Sequence, residues 1–362
     1  MRILMLGNDA GGTYKFRFEL LEELIKRGHE IFLSVPTDNY VERIEAIGCK
    51  VIVTEMDRRG MNPVAEQKLY RFYCKLIKQI RPDKVLSYTV KPNIYGGIVA
   101  KKYGIPQIAN ITGLGTALEN EGKTQKVLIR LYRRAFENVQ IVFFQNEENR
   151  AFFEKNGINL SRSDIIPGSG VNINRFRVFE YPDDTVVKFL FLSRIMKEKG
   201  IDYYLTTANK IRNKYPNTEF HICGYCEEDY QDRIQKAVSD GIALFHGVID
   251  NVNDFLKEMH CIIHPTYYPE GLSNVLLESC ACGRPIITTD RSGCREVVDD
   301  GVNGYMIRQQ NQLDLDNAVE KFLALSYSEK KAMGLAGRAK VEREFDRQIV
   351  VDKYMEEIEK EV

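Results

Sequence analysis

The sequence predicts an α/β protein built from two doubly wound parallel-sheet domains that face each other across a cleft. Three observations predict it. At 362 residues the chain exceeds one ordinary core, since domains run roughly 100–200 residues each. Short β-branched apolar runs alternate with helical periods, the pattern of βαβ units. The alternation then restarts after the polar break Tyr181-Pro182-Asp183-Asp184.

Taken in order, Arg2–Leu6 reads as a strand, followed by a glycine turn at Gly11-Gly12. A helix with apolar residues at Phe18, Leu21, Leu24 and Ile25 comes next, and Gly28 ends it. Further strands are expected at 31–35, 51–54, 84–87, 107–111 and 140–145. Beyond the break come a strand at 186–193, a Lys-rich loop, a helix from about Gly200, and strands at 219–223, 243–246, 261–265 and 285–289. The expected domains are 1–180 and 181–345, joined near 178–185. Residues 346–362 should form a closing helix, and periodicity alone does not say whether it returns to the first domain.

Composition narrows the class. A chain 44% hydrophobic and 28% charged is globular, which excludes disordered or fibrous types. No apolar run approaches the roughly 18 residues of a membrane span, and MRILMLGNDAGG is too short an apolar start for a signal peptide. A soluble, cytoplasmic protein is expected. The net charge of zero hides an asymmetry: residues 1–180 carry +8 and the remainder −8. That suggests an anionic surface or ligand on one side and argues against a general nucleic-acid binder.

The eight cysteines do not form a disulfide framework. Cys223-x-x-Cys226 could join Cys280-x-Cys282 in a zinc site, but the second spacing is one residue short of the usual pair and Cys223 ends an apolar strand-like run, so buried thiols are expected. Asp314-Leu315-Asp316 sits in a polar stretch far from the other motifs, and no metal is expected there.

Four clusters carry chemistry. Gly11-Gly12 opens a helix, whose N-terminus attracts phosphate; a plain structural turn is the alternative. Arg194 and Lys199, within Ser193–Gly200, follow a strand at the edge where open α/β sheets bind ligands, and suit phosphate. A solvated charged loop would look the same. Glu270-Gly271-Leu272-Ser273-Asn274 precedes a helical stretch reaching Glu278, so backbone amides there should face a ligand. Glu278 is expected two turns in, roughly 12 Å beyond Glu270 at about 1.5 Å per residue. That span suits a diphosphate with a sugar hydroxyl near each carboxylate. The fourth cluster, Asn110–Thr116 with Lys91-Pro92-Asn93, should line the opposite wall.

Together these residues resemble the retaining glycosyltransferases of family 4, which share the GT-B fold of two Rossmann-like domains. The resemblance spans nearly the whole chain, through Gly11-Gly12, "RGHEI", "SRIMKEKGIDYYL", Glu270 to Glu278, and "CGRPIITTD" with "GCREVVDDGVNGYMI". "YKFRFELLEELIKRGH", "TVKPNIYGG" and "NITGLGTA" look like the branch of capsular-polysaccharide and diacetylbacillosaminyl-diphospho-undecaprenol N-acetylgalactosaminyltransferases.

The resemblance implies a UDP-sugar donor, a lipid-linked saccharide acceptor, no cofactor and no required metal. Arg194 and Lys199 would neutralise the donor diphosphate, and Glu270 would orient the donor sugar. Glu278 would bind the ribose, backbone at Gly271, Leu272, Ser273 and Asn274 would hold phosphate and sugar, and Val248 would meet the base. Gly12 would approach the diphosphate, with Thr112 and Gly113 on the opposing loop. Two departures stand out. A histidine common on the first domain of the family is absent, and its usual Gly-x-Gly is Gly224-Tyr225-Cys226 here.

Two other readings remain at this point: an epimerase acting on a UDP-sugar, and a non-catalytic nucleotide-sugar binder. The basic segment 123–136 mixes five cations with apolar residues. It reads as an ordinary surface helix or as peripheral contact with an anionic membrane at the inner face of the cell membrane.

Overall fold

The computed structural model describes residues 1–57, 60 and 62–360. The chain separates into two compact units: Met1–Gly170 together with Arg347–Val362, and Val171–Asp346.

The first unit contains β1 (Arg2–Leu6), β2 (Glu30–Val35), β3 (Lys50–Val53), β4 (Lys84–Tyr88), β5 (Gln107–Ile111), β6 (Val139–Phe144) and β7 (Ser163–Ile165). They form one sheet in the order β3-β2-β1-β4-β5-β6-β7, parallel throughout. Every residue of β4 is buried, because helices cover both faces of such a sheet. The helix Ala10–Lys26 packs Leu20, Leu21 and Leu24 onto Ile3, Met5 and Leu33. The same core takes Val350, Val351, Tyr354, Met355 and Ile358 from the helix Arg347–Glu359. Arg347 anchors that helix, donating to the carbonyls of Lys15, Ser169 and Gly170 and pairing with Glu19 at 2.7 Å.

The second unit holds β8 (Val187–Leu192), β9 (Thr218–Cys223), β10 (Leu244–Phe245), β11 (Cys261–His264), β12 (Ile286–Thr289) and β13 (Gly304–Ile307). Their order is β10-β9-β8-β11-β12-β13, again parallel throughout. One face carries the helix Ile201–Lys214 over Phe189, Phe191 and Phe220. The other carries Asn274–Ala281 over Leu190 and Ile262. In both sheets the strand order reverses once, between β1 and β4 and between β8 and β11. Open α/β sheets bind ligands beyond the carboxyl ends of the strands at such a reversal.

The unit boundary differs from the expected 180/181 and falls at Gly170/Val171. Residues 171–184 are tied to the second unit by side chains far away in sequence. The wholly buried Arg284 donates to the carbonyls of Phe179 and Glu180, Arg338 to those of Ile173 and Phe176, and Lys330 pairs with Asp184 at 2.9 Å. Two strands, β7 and β13, join the sheets where the sequence reading had none. All eight cysteines are free thiols. Asp314 pairs with Arg308 at 2.6 Å, and Asp316 accepts from Thr207 and Lys210.

Candidate active site

The loops at the carboxyl ends of the second sheet converge on one point. Ile195 N donates to Tyr225 O, and Glu227 N to Ile195 O, which binds the loop after β8 to the loop after β9. Tyr267 N and the Thr266 hydroxyl both donate to Glu198 O, which binds it to the loop after β11. Two glycines permit the approach. Gly200 has φ +81°, and a Cβ there would lie 2.2 Å from Pro265 O. Gly293 has φ +91°, and its Cβ would meet Gly271 O at 2.7 Å. Ser273 N donates to Gly293 O at 2.8 Å, fixing the segment that leads into the helix Asn274–Ala281.

Arg194, Lys199 and Glu270 meet at this point. Lys199 is 6% exposed and forms an ion pair with Glu270, while Arg194 pairs with Glu227. The Tyr268 ring lies under both cations, 5.1 Å from the Arg194 guanidinium and 4.9 Å from the Lys199 ammonium. Burial, reinforced by the adjacent guanidinium, pushes Lys199 down to about 7. His264, the last residue of β11, is 1% exposed, and neither ring nitrogen has a hydrogen-bond partner. Its Nε2 stands 4.0 Å from Glu270 Oε1, and burial beside Lys199 holds the imidazole neutral, well below its ordinary value. A compact pair of cations on an aromatic ring, with their carboxylates within reach, can receive an anion by exchanging partners.

The other candidates in this unit lie on neighbouring loops. Glu278 is half-buried on the helix Asn274–Ala281. That helix begins only at Asn274, because Glu270 to Ser273 run as loop, so Glu278 stands one turn in and not the two expected. Gly271, Leu272 and Ser273 are buried and Asn274 is half-buried. Val248 is 68% exposed after β10, in a loop joined to the Gly224 position by Gly224 N donating to Gly247 O at 2.8 Å.

Gly12, Thr112 and Gly113 belong to the first unit. Gly12 N donates to Asp9 Oδ2 at 2.9 Å and Gly11 N to Asp38 Oδ2 at 2.7 Å. An anion at this helix start therefore competes with two carboxylates. Thr112 and Gly113 follow β5, with Gly113 at φ +138°. Sequence reasoning missed Glu227, His264 and Tyr268. Tyr268, two residues before Glu270 in a strand-end loop, carried a usable signal; the other two are placed only by pairing across strands.

Two parallel doubly wound units are the architecture of the GT-B fold. Residues 2–146 match the family described as "Glycosyl transferase 4-like" and residues 187–324 that described as "Glycosyl transferases group 1". The chain belongs to these glycosyltransferases. It is 26% identical to the N,N'-diacetylbacillosaminyl-diphospho-undecaprenol alpha-1,3-N-acetylgalactosaminyltransferase of Campylobacter jejuni, over 98% of this chain and 97% of that one. It is 28% identical to the capsular polysaccharide biosynthesis glycosyltransferase CapM of Staphylococcus aureus, over 44% of this chain and 42% of that one. Among solved structures, Anabaena HepE in complex with UDP and glucose shares the fold, with a TM-score of 0.81, 16% identity and 99% of each chain covered.

Proposed function

We propose that the protein is a retaining glycosyltransferase that moves a sugar, N-acetylgalactosamine or another hexose, from UDP to a saccharide carried on a polyprenyl diphosphate. Surface polysaccharide or glycan assembly is the setting. The observation that carries this reading is the convergence of Arg194, Lys199 and Glu270 on Tyr268 at the reversal of the second sheet. The named acceptor of the Campylobacter relative and the UDP found with HepE support it.

A donor diphosphate arriving here takes over the two cations from Glu227 and Glu270. Glu270 then accepts from a hydroxyl of the donor sugar, and Glu278 from the ribose. Arg194 and Lys199 stabilise the charge that develops as the anomeric carbon–phosphate oxygen bond breaks, without a metal ion being needed for that charge. The acceptor oxygen bonds to the anomeric carbon on the same face, and its proton passes to the leaving phosphate oxygen. No helix of the described residues is long and apolar enough to cross a membrane. Contact with a lipid-borne acceptor at the inner face of the membrane falls to the basic helix Lys123–Ala135 of the first unit.

The test is a panel of UDP-sugars scored by thermal shift and by UDP release, with and without a polyprenyl-diphosphate-linked sugar. The matching donor at about 100 times its Kd stabilises by roughly 2.7 kcal/mol, and UDP appears with glycosylated lipid. Tight binding without turnover would favour a binding protein. UDP release without a glycosylated product would favour hydrolysis or epimerisation.

A further inference from the structure

The first sheet also reverses its strand order, between β1 and β4. Two side chains at that reversal lack what their burial requires. Arg17, on the helix that follows β1, is 7% exposed. Its guanidinium lies over the Tyr88 ring, 4.7 Å from the centroid, and Tyr88 ends β4. Nη1 donates to the carbonyl of Phe16 at 2.8 Å, and Nε is buried without a partner. No carboxylate pairs with Arg17 among the described residues. The phenols beside it supply no counter-charge, since burial raises the hydroxyls of both Tyr88 and Tyr354. Arginine stays protonated, and a buried charge left unpaired is costly.

Thr89 is the second. Its Oγ1 is buried without a partner, and its backbone sits at φ +70°, which a β-branched residue rarely adopts. A π-helical turn, Pro92–Gly96, follows at once. A buried network holds the turn in place: Ser87 Oγ donates to Asn93 Oδ1 at 2.7 Å, Asn93 Nδ2 to Asn110 O at 2.8 Å, and Gln107 Nε2 to Ser87 Oγ at 2.8 Å. Strained residues and π-turns gather where ligands are held.

We propose that Arg17 and Thr89 form an anion subsite in the first unit that takes a phosphate group of the acceptor. The assignment to the acceptor rests on the transfer reading above. The Tyr88 ring lies against the guanidinium, whose unpartnered Nε would donate to a phosphate oxygen, and the Thr89 hydroxyl, one residue beyond Tyr88, would supply a second donor.

The probe is farnesyl diphosphate, titrated into the full chain at saturating UDP so that the donor side is filled. Inorganic pyrophosphate serves as competitor and farnesol as the uncharged control. Wild type is expected to bind farnesyl diphosphate, to release it to pyrophosphate, and to ignore farnesol. Arg17→Lys keeps the charge but loses the fork, and should weaken the probe about tenfold. Thr89→Ala should weaken it several-fold. Both variants should bind UDP as wild type does, and they decide the matter even where Arg17→Gln does not fold. Equal probe affinity in wild type and both variants, equal binding of farnesol, or no binding by wild type would overturn the subsite. A wild type that binds the probe through Arg17 yet transfers no sugar would leave the subsite standing and strike the transfer reading alone. A wild type that transfers sugar with no dependence of the probe on Arg17 would strike the subsite alone.

Discussion

Carboxylates already hold both cations of the second unit, Glu227 on Arg194 and Glu270 on Lys199. In the proposed mechanism, a phosphate that binds there gains only the difference between its own contacts and theirs, and the two cations then face the charge that develops in the transition state. Arg194→Ala and Lys199→Ala should therefore cost turnover about 10²–10³-fold each, measured as steady-state UDP release by folded protein; near-normal rates in both would remove these residues from the reaction. Lys199 adds a pH dependence. It is pushed down to about 7, so its charged form is lost as pH rises through that value. Affinity for a UDP-sugar, whose diphosphate charge is fixed in this range, should fall between about pH 7 and pH 8.5, by about tenfold per unit at most. Lys199→Met should bind more weakly with a flat profile, as calorimetry at several pH values would show. Arg194, Lys199 and Glu270 were legible in the sequence because position after a strand is local information. Their partners were not, since Glu227 and His264 reach the site only through the pairing of β8 with β9 and β11.

At the scale of elements, the same contrast runs through the fold. Apolar runs such as Val187–Leu192 announce themselves, and burial on both faces explains why they read as nearly continuous apolar stretches. Ser163–Ile165 and Gly304–Ile307 do not: each has three or four residues at a sheet edge, and their strand character comes from β6 and β12 beside them. The polar segment 181–184 looks like a linker, but Arg284 and Lys330 give its neighbourhood to the second unit. The helix Lys123–Ala135 buries Leu128, Ile129, Tyr132 and Ala135 while Lys123, Lys126, Arg130, Arg133 and Arg134 are exposed. Juxtamembrane cations contribute about 1 kcal/mol each toward anionic lipid. The protein should sediment with anionic vesicles at low salt and come free at high salt. Replacing Lys126, Arg130, Arg133 and Arg134 by Gln should abolish sedimentation and spare UDP affinity. Wild type that stays in the supernatant at low salt would defeat the membrane assignment.

For the molecule as a whole, the two units differ in how the chain builds them. Val171–Asp346 is one continuous stretch with its own sheet and cores. The first unit needs both ends of the described chain. The helix Arg347–Glu359 gives its core five apolar side chains between Val350 and Ile358, none more than 4% exposed. At roughly 1.5–3 kcal/mol per buried side chain, they rival the about 5–15 kcal/mol by which a whole domain is stable. A fragment of residues 171–346 should fold cooperatively and bind UDP, while 1–170 alone should not, by circular dichroism and thermal melting. Independent folding of 1–170 would contradict the weight given to that helix.

Because unit one is closed by a segment translated long after its sheet, the usual order of assembly on the ribosome is inverted. Residues 171–346 are complete, and free to collapse, while the earlier-made sheet still exposes the face that Tyr354 and its neighbours later cover. Domains synthesised first generally fold first; here the first one made has to wait. During elongation the nascent chain carries an open apolar surface, so slow translation after residue 346 would favour capture by chaperones or aggregation. A rapid finish would favour the native molecule.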